Sequence, residues 1–113
     1  MRNYFRRFVY LFAFVGFSAF ASPAEEYFLA VARDDDRSLA NLVKQGQDPN
    51  QRLQDGQTAL HLALRDESPK VVQALLALPK LDVNALNASG ESPLMLAALR
   101  GNLAAAQALL ERG

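Results

Sequence analysis

The sequence predicts an all-α solenoid of about three helix-turn-helix units, preceded by a signal peptide. Three observations lead to this prediction. Similar residues recur every 33 or 34 positions, each recurrence contains two short apolar-periodic stretches, and the N-terminal segment differs in composition from the rest. The length of 113 residues allows one folded domain. The expected boundaries are residues 1–21 for the signal peptide and 22–113 for the domain, with units at about 25–52, 53–86 and 87–113.

The first 21 residues have the composition of an export signal. They hold eight of the ten aromatic residues and three arginines, with no acidic residue. A basic start, an apolar run from Phe8 to Phe20 and the small-x-small sequence Ala19-Phe20-Ala21 are typical of a secretory signal peptide. We therefore expect cleavage after Ala21 and a periplasmic or secreted protein. The alternatives are an uncleaved membrane anchor, although a span needs about 20 apolar residues, and a cytosolic core helix.

The remainder of the chain has a composition that excludes several classes of protein. Removing residues 1–21 leaves 9 Lys+Arg against 12 Asp+Glu. Because nucleic-acid binding depends on an excess of basic residues, a nucleic-acid partner is not expected. The chain has no Cys, which excludes disulfides, a thiol nucleophile and a zinc–thiolate site. Only Tyr27 and Phe28 remain as aromatics, so we expect a core of Leu, Val and Ala.

The repeat is visible at many positions in one register. The sequence from Asp55 to Leu60 returns 34 residues later as Ser89 to Leu94, and Leu62-Ala63 returns as Leu96-Ala97. Upstream, Leu29-Ala30 precedes Leu62-Ala63 by 33 residues. One such unit cannot bury its apolar face alone, so the units are expected to stack.

Each unit is predicted to contain two helices separated by a tight turn. The first helices are expected at 25–33, 58–65 and 92–100, and the second helices at 36–45, 69–77 and 103–112. Asp35, Ser68 and Asn102 share one register and are good N-cap residues. Pro69 suits the first helical position, and Gly46 suits a helix end. The predicted core between units comprises Leu29, Ala30, Leu39, Leu42, Val43, Leu60, Ala63, Val72, Leu75, Leu76, Leu94, Ala97, Ala98 and Leu109.

Residues 58–63, Thr-Ala-Leu-His-Leu-Ala, resemble the T-P-L-H-x-A signature of the ankyrin repeat. Residues 92–97 are similar, with Ser for Thr and Met for His, and residues 48–50 and 82–84 resemble the D-x-N stretch between repeats. The resemblance covers about 25–113, with a degenerate first repeat. It implies stacked helix pairs whose connecting loops project as β-hairpin finger loops. It also implies a protein-binding role and a structural function for the motif residues Thr58, His61, Ser92 and Pro93.

The resemblance also implies where a partner protein would bind, namely the finger tips and the exposed side of the first helices. The candidate contact residues are Arg33, Arg52, Leu53, Gln54, Asp55, Arg65, Asp66, Leu86, Asn87 and Arg100. Arg33, Asp66 and Arg100 share one register and could bind an acidic or polar strip through charge-assisted hydrogen bonds. Alternatively, Asp66 only pairs with its neighbouring arginines, an interaction worth about 0–1 kcal/mol on a surface.

Two features could suggest a catalytic or metal site, but each has a simpler structural explanation. His61 is the only histidine, and the resemblance implies a hydrogen bond to Thr58 rather than a metal or catalytic role. The run Asp34-Asp35-Asp36 lacks the spaced oxygens of a calcium loop and suits the positive end of a helix. No catalytic motif occurs, so we expect no enzyme activity, no cofactor and no metal.

Two functions remain open. The first is an exported protein–protein interaction module that binds its partner through fingers and concave helix face, without membrane contact after signal cleavage. The second is a structural or assembly role, in which the C-terminal repeat self-associates or is completed by a partner. The basis of the second is the small, uncharged surface expected from Ala104, Ala105 and Ala108, with no evident polar cap.

Overall fold

The computed structural model describes residues 21–113, and the predicted signal peptide lies outside them except for Ala21. Six helices form this part of the chain: α1 (Pro23–Ala32), α2 (Asp36–Lys44), α3 (Ala59–Arg65), α4 (Pro69–Leu76), α5 (Pro93–Leu99) and α6 (Leu103–Arg112). All six agree with the predicted helices to within two residues. The predicted β-hairpin fingers are wrong in detail, because residues 21–113 contain no strand and only one isolated bridge, between Arg52 and Thr58. The first finger (residues 47–57) and the second finger (residues 81–91) are tight turns.

The helices form two layers. The pairs α1–α2, α3–α4 and α5–α6 each pack together within a repeat. Between repeats, α1 contacts α3 and α3 contacts α5, while α2 contacts α4 and α4 contacts α6. The first helices therefore form one layer, beside the fingers, and the second helices form the other. This packing is the predicted stack of helix pairs.

Polar side chains at the N-termini explain where most of the helices begin. Ser22, Thr58 and Ser92 cap α1, α3 and α5, each accepting a hydrogen bond from the backbone three residues on. Asp35 and Asn102 cap α2 and α6 in the same way, as predicted. Each cap satisfies one of the free N–H groups of the first helical turn. The hydrogen bonds from Ser38 hold the pKa of the Asp35 carboxyl below its usual value.

The cap of α4 comes from the preceding repeat. Ser68 occupies the N-cap position but makes no side-chain cap hydrogen bond, so its predicted capping role is wrong. Instead, Asp34 Oδ1 accepts from the backbone N–H of Val71 at 2.8 Å. Asp34 has a positive φ of 53°, a conformation that Asp tolerates better than most residues. The Asp34 and Asp35 carboxylates thus each stabilise a helix N-terminus, which accounts for two of the three consecutive acids.

Replacing Asp34 with alanine is expected to lower the free energy of unfolding by about 1 kcal/mol more than replacing Glu67 does. Glu67 is the matched control, since it has the same register and a similar φ of 56°, so both variants place alanine in the same strained backbone. Urea unfolding monitored by circular dichroism measures the difference. Equal losses in the two variants would show that the inter-repeat cap contributes nothing.

The core lies between the layers and continues through all three repeats. Its buried apolar residues are Tyr27, Ala30, Val31, Leu39, Ala59, Leu60, Ala63, Leu64, Val71, Val72, Leu75, Leu81, Val83, Leu96, Ala97, Ala105 and Leu109. The positions predicted at Leu42, Val43, Leu76 and Leu94 are half-buried against this core. All of the packing between the six helices involves residues of 22–113, so this segment is expected to fold without residues 1–21.

Three predictions about burial are wrong, and each error falls at an end of the stack. Leu29 is 43% exposed, because no helix pair within the described residues packs on that side of α1. Ala98 is exposed on the opposite face, beyond α5. Ala105, expected as surface, is buried because the side of α6 on which it lies packs against α4. An internal repeat has neighbours on both sides, and the first and last described repeats have one.

Tyr27 joins α1 to the loop that follows α2. Its side chain is fully buried, and its hydroxyl donates to the carbonyl oxygen of Pro49 at 3.1 Å. Its ring meets that of Phe28 edge to face, with the centroids 5.3 Å apart. Burial raises the pKa of the Tyr27 hydroxyl well above its usual value, and the nearby Asp48 carboxylate raises it further.

We expect residues 22–113 to lose stability as the pH rises above about 10, the pKa of an exposed tyrosine. The pKa of Tyr27 is raised in the folded state, so its contribution is present below the unfolded pKa and is lost above it. Tyr27 is the only tyrosine in this segment, so near-ultraviolet absorbance reports its ionisation alone. Ionisation should coincide with unfolding, and Tyr27→Phe should remove this part of the alkaline loss. Ionisation without unfolding would contradict the expectation.

Candidate protein-binding face

His61 fixes the base of the first finger. The imidazole is fully buried, with Nδ1 2.7 Å from Thr58 Oγ1 and Nε2 3.0 Å from the carbonyl oxygen of Glu91. The backbone N–H of Thr58 also points to Nδ1, at 3.4 Å. Because Nδ1 then acts as the acceptor, we assign the proton to Nε2, which donates to Glu91. The Thr58 contact is the hydrogen bond that the resemblance implies, and the Glu91 contact links α3 to the base of the next finger.

The third repeat has a weaker version of the same cap. The backbone N–H of Met95 donates to Ser92 Oγ at 3.2 Å, and the backbone N–H of Ser92 points to Met95 Sδ at 3.4 Å. The sulfur is a weak acceptor, and Met95 is half exposed. Pro93 occupies the first turn of α5, where its missing N–H leaves no helix bond unmade.

Side chains bridge the two finger loops and keep them adjacent. Asn50 Nδ2 donates to the carbonyl oxygen of Lys80 at 2.9 Å, and its Oδ1 accepts from the backbone N–H of Asp82 at 2.7 Å. Arg52 Nη1 donates to the carbonyl oxygens of Gly56 and Leu86, at 2.9 and 2.6 Å. Arg52, predicted as a contact residue, therefore uses part of its guanidinium to hold the fingers together.

Asn87 is the candidate contact residue that the structure removes from the binding face. It is 6% exposed, and its Oδ1 accepts from the backbone N–H groups of Ser89 and Glu91. Its Nδ2 donates to Glu91 Oε1 at 2.9 Å. An Asn side chain that bonds its own loop in this way builds the turn. The neighbouring candidates remain at the surface of the finger tips: Leu53, Gln54, Asp55 and Leu86.

The fingers touch at Gly56. This residue has a φ of +83°, and a Cβ built on it would lie 3.0 Å from the backbone nitrogen of Ala88 and 3.1 Å from its Cβ. Gly90, the counterpart in the second finger, has a φ of +78° and open space around it. Glycine is therefore required at position 56 for both the backbone conformation and the contact with Ala88. At position 90 it is required for the backbone conformation alone.

We expect Gly90→Ala to cost about 1 kcal/mol, the cost of left-handed backbone for a residue with Cβ. Gly56→Ala should cost about 1–3 kcal/mol more, because the methyl group overpacks the contact with the second finger. Urea unfolding midpoints of the two variants give the comparison. If Gly56→Ala loses no more than Gly90→Ala, the two fingers do not pack as described.

A row of charged residues runs along the ends of the first helices. Arg33, Asp66 and Arg100 are the C-cap residues of α1, α3 and α5, and all three are exposed. Asp66 pairs with Arg65 of its own repeat, with Nε and Oδ1 3.0 Å apart, and this hydrogen bond raises the pKa of the Arg65 guanidinium. Within residues 21–113, Arg33 and Arg100 form no ion pair. The Asp66 carboxylate is thus paired within its own repeat, whereas the two arginines are not.

An open cleft lies between α1 and the first finger. Its volume is about 890 Å³, and Phe28, Leu29 and Leu53 supply apolar surface to it. Glu25 and Arg52 lie at its polar rim. Sequence reasoning found Leu53 but missed Phe28 and placed Leu29 in the core. Leu29 lies in the first repeat, and the repeat register shows no unit before it. That position is the signal that could have identified Leu29 as exposed.

The stacked helix pairs, the paired fingers and the exposed face beside them define a helical repeat protein. The family model for ankyrin repeats, in three copies, matches residues 27–113. The chain belongs to the ankyrin repeat family, whose members are generally non-catalytic modules for protein–protein interaction. No curated protein is significantly similar to the chain. Among residues 21–113, every helix is too short or too polar to cross a membrane.

Proposed function

We propose that this protein binds a segment of a partner protein along the face formed by the finger tips and first helices. The single observation that carries the proposal is the apolar cleft between α1 and the first finger. Leu29 and Leu53 each leave a third or more of their surface in water there. Filling the cleft with an apolar side chain would remove that surface from water, which is favourable by about 25 cal/mol per Å².

The charges beside the cleft favour an acidic or polar strip on the partner. Arg33 and Arg100 have no counter-ion in the described part of the chain, whereas the Asp66 carboxylate is engaged by Arg65. The free donors on this face are therefore mainly guanidinium groups, which bind carboxylates through charge-assisted hydrogen bonds. We infer a partner segment with an apolar anchor residue and acidic residues further along.

Affinity capture with folded 22–113 as bait tests the proposal. An extract of the cells that make the protein is passed over wild type, Leu53→Glu and Arg100→Glu, and the retained proteins are quantified. Lys70→Glu is the matched control for Arg100→Glu, because Lys70 is an exposed cation on α4, in the other helix layer. A protein retained by wild type and Lys70→Glu and lost from both other variants supports the proposal. Retention by all four baits would place the binding surface elsewhere.

We also propose that the domain is exported and that cleavage after Ala21 produces its mature N-terminus. The support is the composition of residues 1–21 together with the first cap of the stack. Ser22 begins that cap: its backbone nitrogen donates to Glu25 Oε1 at 2.8 Å, and its Oγ accepts from Glu25 N at 3.1 Å. Cleavage after Ala21 would leave the capping box of α1 complete. Mass spectrometry of protein from the periplasm or medium should find Ser22 first, and a cytosolic or membrane-bound chain retaining Met1 would contradict this.

A second candidate function is assembly through the last helix pair. The observation that favours it is the 66% exposure of Leu110, whose counterparts Val43 and Leu76 in the preceding repeats pack against the core. Apolar surface exposed at a position that the other repeats cover marks an interaction site.

A further inference from the structure

The outer face of the α5–α6 pair has the chemistry of an interface between repeats. We define this C-terminal face by the half-buried Leu94 and Ala106 and the exposed Ala98 and Leu110. Val31 and Leu64 hold the register position of Ala98 in the first two repeats, and both are buried. Similarly, Val43 and Leu76 hold the position of Leu110 and pack against the core. Leu110 itself is 66% exposed. The C-terminal face therefore continues the established stacking interface without a covering element in residues 21–113.

The opposite end of the stack is more polar. This N-terminal face surrounds an open groove of about 440 Å³ between α1 and α2. It presents Ser38, Asn41 and Gln45 beside the apolar Leu29 and Leu42. The residues at the same register positions in the second repeat are Val71, Ala74 and Leu78. Covering the N-terminal face with an apolar surface would remove these polar groups from water without new hydrogen bonds, which is unfavourable.

We propose that the C-terminal face binds a second copy of this chain, C-terminal face to C-terminal face. This inference rests on the assembly role, the second candidate function, and does not depend on a partner at the fingers. Two such faces are both apolar, so each can cover the exposed Ala98 and Leu110 of the other. Head-to-tail stacking would instead place the apolar Leu110 against the polar N-terminal face. The like-to-like arrangement is isologous, so it closes at a dimer.

Sedimentation equilibrium of residues 22–113 tests the association. Wild type is expected to be a dimer at tens of micromolar, and Leu110→Glu a monomer, with the helical circular dichroism unchanged. Leu53→Glu is the matched control, since it places the same charge on an exposed leucine of the finger, and it should remain a dimer. A wild type that is monomeric at 100 micromolar, or a Leu110→Glu variant that dimerises as wild type does, would overturn the proposal.

Cross-linking tests the orientation. The chain has no cysteine, so one introduced thiol reports one contact. Ala98→Cys alone should form a disulfide-linked dimer under mild oxidation, whereas Ser38→Cys alone should not. Cross-links that form only when the two variants are mixed would show head-to-tail stacking and overturn the like-to-like arrangement. The partner-capture experiment is independent of both results, because Leu110 lies outside the cleft and the arginine row.

Discussion

His61→Ala is expected to lower the free energy of unfolding of residues 22–113 by about 2–4 kcal/mol. The imidazole is fully buried and joins the cap of α3 to the second finger, so its removal has two costs. It leaves a cavity, and it leaves the hydroxyl of Thr58 without its ring partner. The carbonyl oxygen of Glu91 keeps a second donor, the backbone N–H of Asn87 at 3.0 Å, which limits the loss.

Met95→Ala is the matched control for His61→Ala, because Met95 holds the same register position in the third repeat and is half exposed. Its cost should stay within about 1 kcal/mol. Chemical unfolding of both variants, followed by helical circular dichroism, gives the two free energies. Similar losses for the two variants would mean that the histidine bridge between repeats contributes no stability of its own.

Leu75→Ala should have the largest effect, a loss of about 2–5 kcal/mol. Leu75 is fully buried in α4, the second helix of the middle repeat, which contacts α2 on one side and α6 on the other. Three repeats are close to the minimum for a stable stack, so a cavity in the middle one weakens both interfaces. Since small domains are stable by only about 5–15 kcal/mol, this loss is a large fraction of the total stability.

Leu103→Ala gives the control for Leu75→Ala. Leu103 begins α6 and is 82% exposed, so the same truncation removes little buried surface and should cost less than about 0.5 kcal/mol. Thermal and urea unfolding of the two variants provide the comparison. If Leu75→Ala were no more destabilising than Leu103→Ala, the middle repeat would not be packed between two neighbours.

The repeat register was sufficient to predict the helices and two of the three N-caps that it proposed. Asp35 and Asn102 cap as expected because an N-cap acts on its own helix, within three residues of sequence. The cap of α4 by Asp34 could not be predicted in this way, because it joins residues 37 apart in different repeats. Residues at the same position in different repeats can thus make different hydrogen bonds once the repeats are stacked.

The binding face was only partly predictable for a similar reason. Positions taken from the ankyrin resemblance correctly identified the exposed Leu53 and Arg100. They also selected Asn87, whose side chain hydrogen-bonds the backbone of its own turn. The cleft itself depends on Phe28, which the sequence analysis did not select, and on Leu29, which it placed in the core. The exposure of Leu29 follows from the position of its repeat at one end of the described stack, and a periodic pattern does not contain that information.

Amide hydrogen exchange of 22–113, alone and with a captured partner, tests the central claim that the finger side is the binding face. The account predicts slower exchange in α1, in the first finger around Leu53 and at the end of α5 around Arg100. It predicts no change along the solvent side of α4, around Lys70. Protection confined to α2, α4 and α6, with the cleft and fingers unaffected, would contradict the account.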